Sequence, residues 1–207
     1  MGSRTMTGRL LILSPIGLLA SWMIWSGVMG FPDSGDHAAM VDGMSANAVA
    51  TKWLLGLAML FVFLLIGGLA GLRSSMVGGS GSDYATLGVI VIAMSATFNF
   101  GEIAASIAAA DVGADGDGAR AMTIYLAGNG IGATSTAGIL LGAAILGYAV
   151  YIQKNFHLII AALLIATGLF GAGMALYDYG SPLMVIGFIG MTLGIVAMGV
   201  STLRSSD

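Results

Sequence analysis

The sequence predicts an all-α membrane protein, a polytopic bundle of six transmembrane helices in a single domain covering residues 1–207. Of the 207 residues, 57% are hydrophobic and only 8% are charged, whereas soluble domains carry about 25% charged residues. The mean hydropathy is +0.97. Six separate segments are apolar over about 20 residues, the length that crosses the hydrocarbon core of a bilayer. We therefore expect lipid to solvate most of the surface, with little protein outside the bilayer.

The six predicted spans follow one another along nearly the whole chain. They cover residues 10–31, 53–72, 85–110, 122–151, 156–176 and 183–203. The first is too long for a signal peptide and no small-x-small cleavage site follows it, so we expect a retained span. Apolar residues recur at helical spacing in the connection 32–52, which predicts a short amphipathic helix along the membrane surface. The tight turn near 153–156 predicts that spans four and five are antiparallel neighbours.

The distribution of charge predicts the orientation of the bundle. If the N-terminus is cytoplasmic, five cations lie on the cytoplasmic side, namely Arg4, Arg9, Arg73, Lys154 and Arg204. Only Lys52 and Arg120 then lie outside, and most of the acidic residues lie with them. Because cytoplasmic loops are enriched in Lys and Arg, we expect both chain ends in the cytoplasm.

Several classes of function are excluded or disfavoured by composition. The chain has no cysteine, which removes disulfides, thiolate metal sites and thiol nucleophiles. A net charge of -3 without any basic cluster does not favour nucleic acid. His37 and His157 are expected at opposite membrane faces, so they cannot ligate one haem. We therefore expect no metal and no cofactor, and no catalytic signature indicates an enzyme.

Glycine is abundant and part of it is regularly spaced. The chain has 33 glycines. Four small-x-x-x-small pairs fall inside predicted spans: Gly67 with Gly71, Gly128 with Gly132, Gly138 with Gly142 and Gly190 with Gly194. Such pairs allow the backbones of two membrane helices to approach closely. They predict tight packing, either within the chain or against other membrane subunits.

A polar stripe in spans three and four is the strongest candidate for a functional site. Span three carries Ser95, Asn99, Glu102 and Ser106, and span four carries Tyr125, Asn129, Gly132 and Thr136. In both spans the spacing is +4, +3, +4, which puts each set on one helical face. If the spans form a hairpin centred between Asp115 and Gly116, the stripes meet. The predicted pairs are Glu102 with Asn129, Ser106 with Tyr125, Asn99 with Gly132 and Ser95 with Thr136.

Glu102 is the residue of this stripe with the greatest chemical potential. It is the one glutamate of the chain, and no Lys or Arg occurs in the interior of a predicted span. A bare carboxylate at the centre of a span costs roughly 3 kcal/mol even on insertion scales. Protonation, hydrogen bonds from neighbours such as Asn129, or a bound cation or water would remove that cost. For Glu102 we favour function, and for Asn99, Ser95 and Thr136 interhelical hydrogen bonding.

The layout resembles a widespread bacterial family of six-span membrane proteins known only as a domain of unknown function. The similar stretches are Thr7 to Leu11, the acidic and Ala-rich segment before span two, Phe98 to Glu102, and Gly142 to Tyr151 with the following turn. The resemblance implies a bacterial cytoplasmic membrane and supplies no activity. The family's basic residue before the glutamate is replaced here by Phe98 and Asn99, so no ion pair is implied.

Two functions from different classes stay open at this point. In the first, the protein binds or passes a small solute, proton or cation at a polar site made of Glu102, Asn99, Asn129, Tyr125, Ser106, Ser95 and Thr136. In the second, it is an accessory or structural subunit that docks through its glycine faces onto other membrane proteins or onto copies of itself. The buried carboxylate favours the first, and the short connections favour the second.

Overall fold

The computed structural model describes residues 3–33 and 35–204, and these residues form seven α-helices and no strand. The helices are α1 Ser3–Val28, α2 His37–Ala46, α3 Ala48–Ser75, α4 Ser82–Ala114, α5 Gly118–Gln153, α6 Leu158–Tyr177 and α7 Met184–Arg204. All except α2 are long and apolar enough to cross a membrane. The predicted all-α class with six spans is confirmed, and the chain is an integral membrane protein.

Two helices begin after an aspartate that caps their first turn. The side chains of Asp36 and Asp117 accept hydrogen bonds from Ala39 N and Arg120 N, which caps α2 and α5. Gly116 has a φ of 94° in the turn between α4 and α5, a backbone conformation that glycine adopts without strain. At this turn both helices are longer than the predicted spans: α4 ends at Ala114 instead of residue 110, and α5 begins at Gly118 instead of residue 122.

The six long helices form a closed ring of antiparallel neighbours, in the order α1, α3, α4, α5, α6, α7 and back to α1. We call the end of the bundle where α1 begins and α7 ends the terminal end, and the opposite end the α2 end. At the terminal end Gly8 of α1 faces Leu203 and the carbonyl oxygen of Gly199. The two ends of the described chain thus lie on the same side, as an even number of spans requires. The cytoplasmic location of that side stays a prediction.

The hairpin of α4 and α5 is longer than the helices packed beside it. α5 has 36 residues and α6 has 20, or about 54 and 30 Å at 1.5 Å per residue. Gly168 of α6 packs against Leu140 and Ala144 of α5, and α6 ends nine residues later at Tyr177. The first part of α5, about 118–131, therefore extends beyond the end of α6.

Helix α2 packs against this extension. Met40, Val41 and Met44 are buried in a hydrophobic cluster with residues from the last part of α4 and the first part of α5. The predicted short helix in the connection 32–52 is present, and its apolar face contacts protein, where a membrane-surface contact was expected. The α2 end is therefore more substantial than the short connections suggested.

Candidate functional site

The polar stripe lies between two hydrophobic clusters. The inner cluster, towards the terminal end, includes Ile92 and Leu140, and the outer cluster, at the α2 end, includes Ile103 and Tyr125. Glu102 is 9% exposed and Thr136 is 3% exposed. Ser106 and Tyr125 are also buried, while Ser95, Asn99 and Asn129 are partly exposed. The structure thus gives all seven predicted site residues positions on the α4–α5 hairpin at or near the boundary between the clusters.

The predicted register of the hairpin is wrong by about three residues. Glu102 lies against Gly132, because a Cβ atom added at Gly132 would overlap its carboxyl group. Ser95 lies against Gly138 in the same way, where Thr136 was expected. Close approaches of Gly88 to Gly142 and of Gly128 to Ala105 hold the helices in this register. Hairpin symmetry had centred the pairs on Asp115 and Gly116, and the turn lies slightly further along the chain.

Glu102 accepts hydrogen bonds on both oxygens of its carboxyl group. Asn99 Nδ2 donates to Oε2 at 2.7 Å. The hydroxyl of Tyr179 lies 3.0 Å from Oε1 and 3.1 Å from Oε2. The predicted hydrogen bond from Asn129 to Glu102 is absent from the described residues, because the shift in register gives Asn99 and Tyr179 the positions beside the carboxyl group.

Tyr179 is the residue that the sequence did not assign to the site. It belongs to the connection between α6 and α7, close to the end of a predicted span, where aromatic residues are commonly interfacial anchors. Because α6 ends beside the middle of the hairpin, this connection lies at the level of Glu102. The lengths of the predicted spans could have indicated this position. The span 156–176 has 21 residues and its antiparallel neighbour 122–151 has 30. The connection after residue 176 therefore lies short of the α2 end of the hairpin.

The hydrogen bonds around Glu102 determine where protons can be. Asn99 Nδ2 donates one hydrogen to Glu102 and the other to Ser135 Oγ, at 3.2 Å. Ser135 Oγ in turn donates to the carbonyl oxygen of Gly132. Both hydrogens of the Asn99 amide are thus used, and Oε2 is fixed as an acceptor. A proton on the carboxyl group would therefore sit on Oε1, towards Tyr179.

The hydroxyl of Tyr179 can reverse the direction of its hydrogen bonds. It lies 3.3 Å from Thr136 Oγ1, and either oxygen can donate. When Glu102 is ionised, Tyr179 donates to the carboxylate and Thr136 donates to Tyr179. When Glu102 carries a proton on Oε1, Glu102 donates to Tyr179, which then donates to Thr136. Tyrosine ionises only at about pH 10 in water, so Tyr179 keeps its proton and acts as a neutral donor or acceptor.

Four of the seven predicted residues have no hydrogen-bond partner for their side chains within the described part of the chain: Ser95, Ser106, Tyr125 and Asn129. Among the described residues, His37 Nδ1 is the one side-chain polar atom that is both fully buried and without a hydrogen-bond partner. The unpartnered polar atoms of the four residues are therefore not fully buried. The ring of His37 lies 5.7 Å from that of Tyr125. On the α2 side of Glu102, the polar groups of Ser106, Tyr125 and Asn129 thus do not pair with each other.

Within the described residues, no cationic side chain forms an ion pair with Glu102. The ion pair of the described residues is Lys52 with Asp111, which joins α3 to α4 at 3.0 Å, and about half of each side chain is exposed. Asp111 follows Glu102 by nine residues, or about 13 Å along α4. Residues 3–33 and 35–204 contain no group of three His, Cys, Asp or Glu side chains that could hold a metal ion. The partners of Glu102 are neutral hydrogen-bond donors.

No family model, no curated protein and no solved structure matches this chain.

Proposed function

We propose that the protein binds and exchanges a proton or a small cation at the carboxyl group of Glu102. The observation that carries the proposal is a buried carboxyl group whose hydrogen-bond partners, Asn99 and Tyr179, are all neutral. Hydrogen bonds stabilise an ionised carboxylate but leave its charge uncompensated. A proton or a cation would remove the remaining charge, and ionisable groups inside membrane helices commonly serve ion or proton pathways.

The alternative that the stripe only holds the helices together receives less support. Side chains that serve as interhelical glue are expected to hydrogen-bond with each other across the helices. Asn99 does so with Ser135, and Tyr179 joins Glu102 to Thr136, whereas Ser106, on the α2 side of Glu102, has no partner among the described residues. An unpaired polar group is best satisfied by water or by a bound solute.

The unpaired hydroxyls around Glu102 distinguish its α2 side from its terminal side. On the α2 side lie the unpaired hydroxyls of Ser106 and Tyr125. The two helices pack closely on both sides of Glu102, through Gly88 and Gly142 on the terminal side and through Gly128 and Ala105 on the α2 side. We therefore propose exchange with the α2 side, which the charge distribution predicts to be external, and any passage to the other side would require the hairpin to open.

The accessory-subunit alternative receives less support from the packing of the glycines. Seven of the eight glycines of the predicted pairs lie close to other atoms of the same chain: Gly71 faces Thr7, Gly128 faces Ala105, Gly132 faces Glu102, Gly138 faces Ser95, Gly142 faces Ile92, Gly190 faces Thr167 and Gly194 faces Leu164. These glycine faces are already used within the protein, so no specific observation favours docking through them.

The direct test is cation and proton exchange by Glu102→Gln in proteoliposomes. Gln keeps the shape of the side chain and cannot be ionised, so we expect pH- or Na⁺-dependent uptake to be lost while the protein still folds. Asp111→Asn is the matched control, since it removes an exposed carboxylate of the same helix and should leave uptake unchanged. Unchanged uptake by Glu102→Gln would contradict the proposal.

A second measurement tests binding without requiring transport. Infrared difference spectra recorded between two pH values, or with and without Na⁺, should contain a carboxyl band that Glu102→Gln removes. The same band should remain in Asp111→Asn. If the spectra show no Glu102 band under any pH or cation change, the site does not exchange its charge and the hydrogen-bonding role is sufficient.

A further inference from the structure

Two surface clefts occur at the terminal end of the bundle, far from Glu102, and each combines a cation with apolar walls. The first, of about 320 Å³, lies between α3 and α4 and is lined by Ala70, Arg73, Ser74, Thr86, Val89 and Ile90. The second, of about 260 Å³, is lined by Val150, Tyr151, Lys154, Phe156, Leu158 and Ala161. Both lie where helices end, the level at which lipid headgroups meet a membrane protein.

Arg73 is held in a defined orientation in the first cleft. It belongs to the last turn of α3, and its Nε donates to Thr86 Oγ1 at 3.0 Å. Thr86 uses its own hydrogen on the carbonyl oxygen of Ser82 at 2.9 Å, so its oxygen is fixed as an acceptor. The guanidinium therefore keeps the N–H groups of its two terminal nitrogens for another partner.

That partner is not a carboxylate of the described protein. Within residues 3–33 and 35–204 the ion pair is Lys52 with Asp111, at the other end of the bundle. Asp83 lies in the first turn of the same helix, three residues before Thr86, and forms no ion pair with Arg73 within 4.0 Å. An oriented guanidinium with free N–H groups matches the oxygens of a phosphate, which it binds with two parallel hydrogen bonds.

The remaining walls of the cleft indicate the rest of the ligand. Ala70, Val89 and Ile90 are apolar and lie on the bilayer side of Arg73, one turn or more further into α3 and α4. They fit the first carbons of acyl chains, which a free phosphate lacks. We propose that the cleft between α3 and α4 binds the phosphate headgroup of an acidic phospholipid through Arg73, with Thr86 as the residue that orients the guanidinium.

The cleft at Lys154 supports this proposal as a weaker site of the same kind. Lys154 ends α5 in a left-handed conformation with a φ of 55°, and it shares the cleft with the aromatic rings of Tyr151 and Phe156. A lysine ammonium attracts phosphate as a point charge, without the two-pronged geometry of arginine. We therefore expect Arg73 to give the larger part of any lipid selectivity.

The test is native mass spectrometry of the detergent-solubilised full chain with phosphatidylglycerol and with phosphatidylcholine of identical acyl chains. We expect phosphatidylglycerol to be retained more strongly, and Arg73→Gln to weaken its binding about tenfold, the effect of losing a charge-assisted pair of hydrogen bonds. Arg204→Gln is the matched control: Arg204 is likewise an arginine in the last turn of a helix at the terminal end, and it lines neither cleft.

Three results would overturn the proposal. Equal losses in Arg73→Gln and Arg204→Gln would mean general electrostatic attraction, and equal retention of both lipids by the wild type would mean no recognition of charge. Displacement of phosphatidylglycerol by millimolar inorganic phosphate would identify a free anion as the ligand. If Arg73→Gln does not fold, Thr86→Val serves instead, because it keeps every charge. It removes the acceptor that orients the guanidinium, so it should still weaken the binding of phosphatidylglycerol several-fold.

Discussion

In both halves of the α4–α5 hairpin a glycine allows close packing, but what packs against the glycine differs. In the half towards the terminal end, Gly88 lies against the backbone of Gly142 and Leu146, and the surrounding cluster is aliphatic. At the boundary with the other half, Gly132 lies against the carboxyl group of Glu102. One glycine thus makes room for a helix backbone, and the other makes room for a charged side chain.

This difference separates structural glycines from site glycines. A backbone atom cannot move without moving its helix, so a methyl group at Gly88 must push α4 and α5 apart. The end of the Glu102 side chain can rotate, so a methyl group at Gly132 displaces the carboxyl group and leaves the helices in place. Substitutions in the two halves should therefore differ in their effects on stability and on ion or proton exchange.

The largest effect is expected for Gly88→Ala. The added Cβ would lie 2.9 Å from the oxygen of Gly142 and 2.9 Å from the nitrogen of Leu146. Overpacking of this kind typically costs 1–3 kcal/mol, and we expect about 3 kcal/mol because both obstacles are backbone atoms. Thermal unfolding in detergent measures the loss. Gly173→Ala is the control, with nothing within 4 Å of the new atom, and an unchanged unfolding temperature for Gly88→Ala would contradict the packing.

The next effect is expected for Tyr179→Phe. It removes the hydroxyl that bonds to Glu102 and Thr136 and leaves a buried carboxyl group short of a donor, which costs about 2 kcal/mol. Hydrogen exchange should also rise in the connection 178–183, since its bond to α4 is gone. Tyr177→Phe is the matched control, because Tyr177 is 86% exposed. Equal effects of the two variants would mean that Tyr179 does not fasten the connection to the hairpin.

A smaller loss of stability is expected for Gly132→Ala, about 1 kcal/mol, because the carboxyl group can rotate away at the expense of its hydrogen bonds. Ion or proton exchange should nevertheless fall as strongly as in Glu102→Gln, since the carboxyl group has left its position. Gly130→Ala, where nothing lies within 4 Å, is the control for both measurements. Full exchange by Gly132→Ala would show that the position of Glu102 against Gly132 is not required.

The smallest effect is expected for Lys52→Gln. Its ion pair with Asp111 is about half exposed on both sides, and such pairs contribute about 0.5 kcal/mol. A double-mutant cycle with Asp111→Asn measures the coupling energy by thermal unfolding. A coupling above about 2 kcal/mol would indicate that this pair holds α3 to the hairpin, and that the outer half depends on charge more than its apolar cluster suggests.

Sequence periodicity found most of the candidate site and misplaced part of it. Ser95, Asn99, Glu102 and Ser106 share one face because helical spacing is a local property, and the contact between Asn99 and Glu102 follows from it. Asn129 was assigned as the partner of Glu102 because hairpin symmetry was taken from the middle of the loop. The shift of about three residues comes from the turn and from close glycine contacts between the helices, which no single helix contains.

The sequence by itself determined the six apolar helices, the short helix α2 and the exceptional position of Glu102, because span length, hydropathy and the cost of an isolated charge are properties of local composition. Only the tertiary structure decided that the carboxyl group of Glu102 packs against Gly132, that Tyr179 hydrogen-bonds to Glu102, and that Thr86 orients Arg73. These contacts depend on the relative height and rotation of packed helices. Many backbone and side-chain contacts set both together, and no single segment can specify them.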